Sequence, residues 1–217
     1  MHRHIRPSGR RRLLLAALGL ASGVLAAGGS AATRKPTPAQ SRGPFYPDQL
    51  PLDQDNDLTR LRPARAATSG SAKGELTDLT GRVLAADGTP LPDALVEIWQ
   101  CDAHGRYIHT DDRGGPPRDP GFQGYGKTRT GADGGYRFRT IKPVPYPGRA
   151  PHIHVAVAAA DGRRLVTQLY VKGAPENGRD FLRQRLSPAQ RRLVTIPFRP
   201  RGDGAGPHTA RFDMVLG

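Results

Sequence analysis

What most restricts the fold of this 217-residue chain is a series of short apolar runs punctuated by turns rich in Gly and Asp. Residues 79–85 precede Asp87-Gly88, and residues 94–100 precede a polar stretch. Residues 135–140 follow Ala132-Asp133-Gly134, and 152–158 join 164–171 across Asp161-Gly162. A last strand is expected at 210–216. Runs of this length bounded by turn residues read as strands packed in two layers. The expected fold is therefore all-β, a β-sandwich with one or two short helices. Helix signals are confined to 176–186 and to Ser187-Pro188, where serine suits the N-cap and proline the first helical position. The stretch 109–126 carries five glycines and three prolines. Such a long loop inside a compact domain is often a binding loop.

Upstream of the strands the chain changes character twice. Residues 1–32 begin with a basic segment ending in Arg10, Arg11 and Arg12, continue through an apolar run from 13 to 27, and end in small residues. That order is expected of a signal peptide, and the run is too short for a comfortable bilayer span. The consecutive arginines resemble a twin-arginine export signal, which implies an exported protein that crosses the membrane folded. Residues 33–75, rich in Pro, Asp, Arg and Ser, are expected to form an extended arm, and 76–217 the single β-sandwich domain.

The formal charge is +14, of which five arginines in the leader supply five, leaving +9. The excess is dispersed, with no basic run and no nucleic-acid signature, so no nucleic-acid partner is expected. No stable membrane association is expected after leader removal. Cys101 is the only cysteine and excludes an intramolecular disulfide.

Two histidines stand one residue apart in Pro151-His152-Ile153-His154-Val155. In a strand both imidazoles project from one face, half of a metal site. Such pairs serve zinc and other first-row metals, and can be merely structural. Tyr146 lies upstream among Pro143, Pro145 and Pro147, which restrict the backbone that aims its ring. Tyr107 follows Gly105-Arg106, just past the run containing Trp99. Each tyrosine alone reads most simply as an amphipathic residue at a core edge. As ligands they would need a strongly Lewis-acidic metal, because a phenol ionises only near pH ~10. Two phenolates with two imidazoles would favour iron(III).

Several segments occur in a telling order. They are Gly43-Pro44-Phe45-Tyr46-Pro47, Leu79-Thr80-Gly81-Arg82-Val83, and Val96-Glu97-Ile98-Trp99-Gln100 followed by Gly105-Arg106-Tyr107. Tyr136-Arg137-Phe138-Arg139-Thr140-Ile141-Lys142-Pro143 then leads to Tyr146, Arg149, His152 and His154, with Gln168-Leu169-Tyr170 beyond. In these the chain resembles the intradiol ring-cleavage dioxygenases, the group of protocatechuate 3,4-dioxygenase and catechol 1,2-dioxygenase, over roughly residues 40–217. The resemblance implies a prealbumin-like β-sandwich with long active-site loops. It implies Fe(3+) held by Tyr107, Tyr146, His152 and His154, with Tyr146 the ligand that leaves when substrate binds. It assigns Arg149 to stabilising charge on the substrate and Gln168 to a polar role beside the metal, and puts Pro44, Tyr46 and Trp99 at the substrate pocket. The implied reaction opens a catechol-type ring with O2 between its two hydroxylated carbons, giving a cis,cis-muconate-type product. A homo-oligomer is compatible with the sequence.

The chain departs from the family in two places. Val144 stands where the family has glycine, and only five residues separate Tyr146 from His152, fewer than in the larger protocatechuate enzymes. Two other readings are open. A non-catalytic binding module is suggested because 79–97 is also similar to prealbumin-type and carboxypeptidase-regulatory domains. A zinc enzyme could use the same histidines with help from His104, His109 or His208.

Overall fold

A computed structural model describes residues 1–2, 33–61, 71–202 and 206–217. The expected leader, apart from its first two residues, lies outside the described residues, as does 62–70 of the arm. In chain order the strands are β1 (Leu76–Ala85), β2 (Leu95–Trp99), β3 (Tyr125–Arg129), β4 (Gly135–Ile141), β5 (His152–Ala158) and β6 (Arg164–Val171), then β7 (Thr195–Ile196), β8 (Arg199–Arg201), β9 (Gly206–Arg211) and β10 (Met214–Leu216). The helices are a 3-10 turn (Pro175–Gly178), α1 (Phe181–Gln184) and α2 (Pro188–Val194).

Two five-stranded sheets form the sandwich. In the first, β1 pairs antiparallel with β4 and parallel with β9 and β10, and β8 joins β9. The second runs β3-β2-β5-β6-β7. Alternation in β1 buries Thr77, Leu79, Gly81 and Val83, and β4 contributes Tyr136 and Phe138. Val96 and Ile98 of β2 and Ile153, Val155 and Val157 of β5 belong to the same core. Each fully buried Leu, Ile or Val contributes ~1.5–3 kcal/mol relative to exposure. β5 is buried along both faces, so it carries a second buried surface outside the sandwich core.

The β-sandwich agrees with the sequence reading, with three differences in detail. The helix expected over 176–186 is broken in two, because Asp180 adopts an extended conformation and caps α1 from outside it. β3 begins inside the stretch read as a loop, at Tyr125 and Gly126, and runs on to Arg129, its glycine and basic residues hiding a short edge-like run. The expected last strand is interrupted at Phe212 and Asp213, between β9 and β10. Ser187 does cap α2, with Gln190 returning the bond in a capping box.

The described part of the arm hydrogen-bonds to both sheets: Thr37 N to Val215 O, Gln40 N to Val166 O and Leu58 N to Arg139 O. Leu58 is wholly buried in the core.

Gly81 shows how tightly β1 is packed. A Cβ there would lie 1.9 Å from the Phe212 carbonyl oxygen and 2.7 Å from the Tyr136 hydroxyl, which itself donates to that carbonyl. Both neighbours are held, so Gly81→Ala is expected to destabilise the protein by ~1–3 kcal/mol or more, the scale of core overpacking, measured by urea unfolding. Unchanged stability would show that the chain after β9 is free to move.

Candidate metal centre

The second buried surface of β5 carries the two histidines, and strand register supplies their neighbours. His154 lies opposite Trp99 on β2 and Gln168 on β6, while His152 lies opposite Tyr170. The Trp99 and His154 rings stack at 4.9 Å and 6°. Gly43, at φ +73°, brings the arm so close that a Cβ would be 3.0 Å from His154 Cε1. His152 Nδ1 donates to Ala150 O at 2.6 Å, which turns the Nε2 lone pair toward His154 Nε2, 3.2 Å away.

Two loops add the phenols. Tyr107 is buried, and its loop is pinned: Asp102 Oδ1 accepts from the His104 and Arg106 N–H groups, and Asp112 Oδ2 accepts Tyr107 N–H at 2.5 Å. Its hydroxyl is 3.5 Å from His152 Nε2. Tyr146 begins a turn in which Pro147 and Gly148 (φ +80°) occupy the positions a type II turn requires, closed by Arg149 N–H to Tyr146 O at 2.9 Å. The Tyr146 ring centroid is 5.6 Å from those of both Tyr107 and His152.

These donors fit a metal ion. Ligand atoms about 2.1 Å from a shared ion are separated from each other by ~3–3.5 Å, as the 3.2 and 3.5 Å separations are here. His154 Nδ1 is buried without a hydrogen-bond partner. With its proton on Nδ1, two Nε2 lone pairs face each other across the site; with the proton on Nε2, Nδ1 is an unpaired buried acceptor. A cation between the Nε2 atoms relieves the first arrangement. Burial, and then the charge of Arg149, hold the His152 imidazolium down to about 4, and burial, then the neighbouring His152, holds His154 well below the ordinary imidazole value. Both rings are therefore neutral and free to ligate. Burial raises the phenols of Tyr107 and Tyr146, with Arg149 opposing it at Tyr146, so ionising them requires a strong Lewis acid.

The three histidines considered as further ligands are engaged elsewhere. His104 Nδ1 lies 2.8 Å from Pro117 O, His208 Nε2 pairs with Glu75 at 3.2 Å, and His109 packs edge-on to Phe45. Among the described residues no group of three or more His, Cys, Asp or Glu is gathered, so an ion here draws on phenols. Two hard oxygen donors with two imidazoles suit iron(III) better than zinc.

Beside the rings lies a polar network. Arg149 Nη1 donates to Tyr146 OH at 3.3 Å, Nη2 to Gln168 Oε1 at 2.5 Å and Nε to Asp180 Oδ2 at 2.9 Å. Tyr170 OH lies 3.0 Å from Gln40 Oε1 and 3.2 Å from Gln168 Oε1, two acceptors for its one proton, and Gln168 Nε2 donates to Ser41 O. A cleft of about 380 Å³, lined by Tyr146, Arg149, Glu176, Arg179 and Asp180, opens onto this side.

A family model described as Dioxygenase matches residues 42–217. The protocatechuate 3,4-dioxygenase beta chain of Burkholderia cepacia is 43% identical over 153 residues, 61% of this chain and 63% of that relative. The hydroxyquinol 1,2-dioxygenase of Corynebacterium glutamicum is 30% identical over 83% of this chain and 63% of its own length. The chain thus spans less than two thirds of either curated relative. The dioxygenase domain of a dioxygenase carbohydrate-binding protein fusion from Streptomyces sp. SirexAA-E superposes with a TM-score of 0.63 at 32% identity, covering 84% of this chain and 98% of that one.

This chain belongs to the intradiol dioxygenase family. Of the residues the sequence singled out, Tyr107, Tyr146, His152, His154, Arg149 and Gln168 lie together in this member of the family. Trp99 is wholly buried and supports His154 from behind. Tyr46 meets Trp99 edge-on at 5.0 Å and donates to Glu97, and Pro44 is exposed between Gly43 and Phe45, whose ring stacks on Tyr107 at 5.2 Å. Sequence reasoning passed over Asp180, Gln40 and Glu97. Asp180 carries an N-cap signal just before Phe181, but nothing local shows that its other oxygen reaches Arg149.

Two outcomes follow for this site. When the protein is loaded with iron, His154→Ala is expected to lose most of it, whereas Tyr146→Phe retains it, because Tyr146 is half-buried at the rim and the other three candidate donors stay buried; equal loss in both would contradict that ranking. Separately, the metal-free protein should be labile to acid. Below the ordinary ~6.5 the unfolded imidazole takes a proton that the buried His152 refuses until about 4. The unfolded state then binds more protons, so stability is complete above that ordinary value and falls as the pH drops through this window. Chemical unfolding from pH 7 to 4 checks it, and a His152→Phe variant should show a shallower fall.

Proposed function

We propose that this chain is an intradiol dioxygenase using Fe(3+) and O2 to cleave a catechol-type ring between its two hydroxylated carbons, yielding a cis,cis-muconate-type acid. The convergence of Tyr107, Tyr146, His152 and His154, with donor atoms 3.2 and 3.5 Å apart, carries the reading. Iron(III), when bound, supplies the Lewis acidity that holds ionised phenols and the electronic means for a catechol to react with O2. Tyr146 is the phenol suited to give way to substrate: it is half-buried, sits on a solvent-facing turn and borders the cleft. Released, its oxygen can take a substrate hydroxyl proton. Tyr107, buried on a pinned loop, stays in place. Arg149, held by Asp180 and Gln168, presents a fixed positive charge to negative charge developing on the ring, with no reorganisation at the moment of reaction. Trp99 backs the His154 ring and Phe45 the Tyr107 ring, fixing the orientation of each.

The substrate class is proposed from the family as catechol-type. Export by the twin-arginine route belongs to the same proposal and rests on Arg10, Arg11 and Arg12 ahead of an apolar run. The iron-loaded protein is expected to be burgundy or brown, to shift its visible band with catechols, and to form muconate-type products with one O2 consumed per ring. Arg149→Ala should retain iron and lose on the order of 10²- to 10³-fold in turnover. A colourless protein holding stoichiometric zinc, or a wild-type rate in Arg149→Ala, would overturn the assignment.

A further inference from the structure

We infer that Asp180 is a positioning residue whose one buried carboxylate sets both the guanidinium of Arg149 and the residue that orients His152. The inference rests on the intradiol reading for its effect on turnover, and on geometry alone for the linkage.

Asp180 is wholly buried, yet it spends three hydrogen bonds in a fixed pattern. Oδ2 accepts Arg149 Nε and the Ala150 N–H, each at 2.9 Å, and Oδ1 accepts the Arg183 N–H at 2.8 Å. Ala150 in turn offers its carbonyl to His152 Nδ1 at 2.6 Å. The same residue is thereby held at its N–H by Asp180 and holds the tautomer of His152 at its C=O. On the other branch, the Nε edge of Arg149 is occupied by Asp180 and one terminal nitrogen by Gln168, so the remaining nitrogen is directed at Tyr146 and the cleft. A planar guanidinium gripped along two sides has little freedom left.

A purely structural role would account for only one of the three bonds. Capping a four-residue helix needs one side-chain oxygen, which Ser or Asn supplies as well as Asp and with no ionised group to bury. A carboxylate cut off from solvent persists where its partners are fixed and charged, and here the charged partner is Arg149 itself.

A double-mutant cycle on the iron-loaded protein tests this. Asp180→Asn keeps the shape and the capping oxygen but cannot receive both donors at Oδ2 as a charge. It is expected to retain iron and KM while kcat falls on the order of 10- to 100-fold. In an Arg149→Ala background the same change should cost clearly less, about 2- to 5-fold, because the branch through Arg149 is gone and only the one through Ala150 and His152 remains. An equal loss in both backgrounds would mean that Asp180 does not act through Arg149, and the inference that it sets both branches fails.

A second measurement needs neither iron nor turnover. In metal-free protein the Arg149 Nε–H proton–nitrogen signal, identified by its loss in Arg149→Lys, should be resolved and slow to exchange, and should disappear or exchange rapidly in Asp180→Asn. An unchanged signal overturns the inference. Should Asp180→Asn fail to fold, Asp180→Glu, which keeps the charge but displaces it, is read in the same two ways. If the wild type turns over no catechol, the intradiol reading falls, and the nitrogen signal alone decides the linkage.

Discussion

The site depends on the register of β5 between β2 and β6. Because side chains alternate along a strand, the pairing that sends Ile153, Val155 and Val157 into the core must send His152 and His154 to the opposite face. The same register sets Trp99, His154 and Gln168 in one cross-strand row and Tyr170 beside His152. A one-residue slip would exchange the two faces, burying imidazoles in the core and losing the row. Hydrophobic burial in the sandwich thus holds the geometry of the site, and the face carrying His152 and His154 inherits a precision that loops alone would lack.

Everything else at the site is brought to that row by backbone with little intrinsic order. The loop of Tyr107 is held by carboxylates: Asp102 and Asp112 accept its N–H groups, and Arg106 spans to Asp112 and to the carbonyls of Gly115 and Pro116. Tyr146 is placed by a proline-glycine turn. The arm closes the far side, where Gln40 bonds Gln168 O and Thr167, and Gly43 admits the backbone against the His154 ring. Irregular segments can be this well placed where their buried N–H and carbonyl groups find specific partners, as at Tyr107, Gln40 and Arg149.

Electrostatically the site is a compromise between burial and charge. Neutral imidazoles and un-ionised phenols are what a dry pocket permits, and a buried Arg149 is tolerated through its pairing with a fully buried Asp180. Such a pair contributes little net stability compared with a hydrophobic replacement. Its value lies in presenting a fixed charge beside Tyr146 without waiting for water to reorganise.

By itself the sequence determined the layer architecture, because short runs with a two-residue period and turn chemistry at their ends carry the strand signal locally. It also determined the chemical kind of site, since His152 and His154 share a face in any strand and Tyr107, Tyr146, Arg149 and Gln168 lie in motifs similar to those of a known family. It did not determine where the helix over 176–186 breaks, that 125–129 forms an edge of the second sheet, or that Trp99 lies behind His154. Those were decided by tertiary structure, because each depends on a partner far away in the chain. Asp180 leaves helical geometry while reaching Arg149, 31 residues earlier; β3 exists because β2 offers an edge; and Trp99 is covered because β5 sets a flat imidazole against its ring. Local periodicity reports which way a side chain faces. Only the packed fold supplies what it faces.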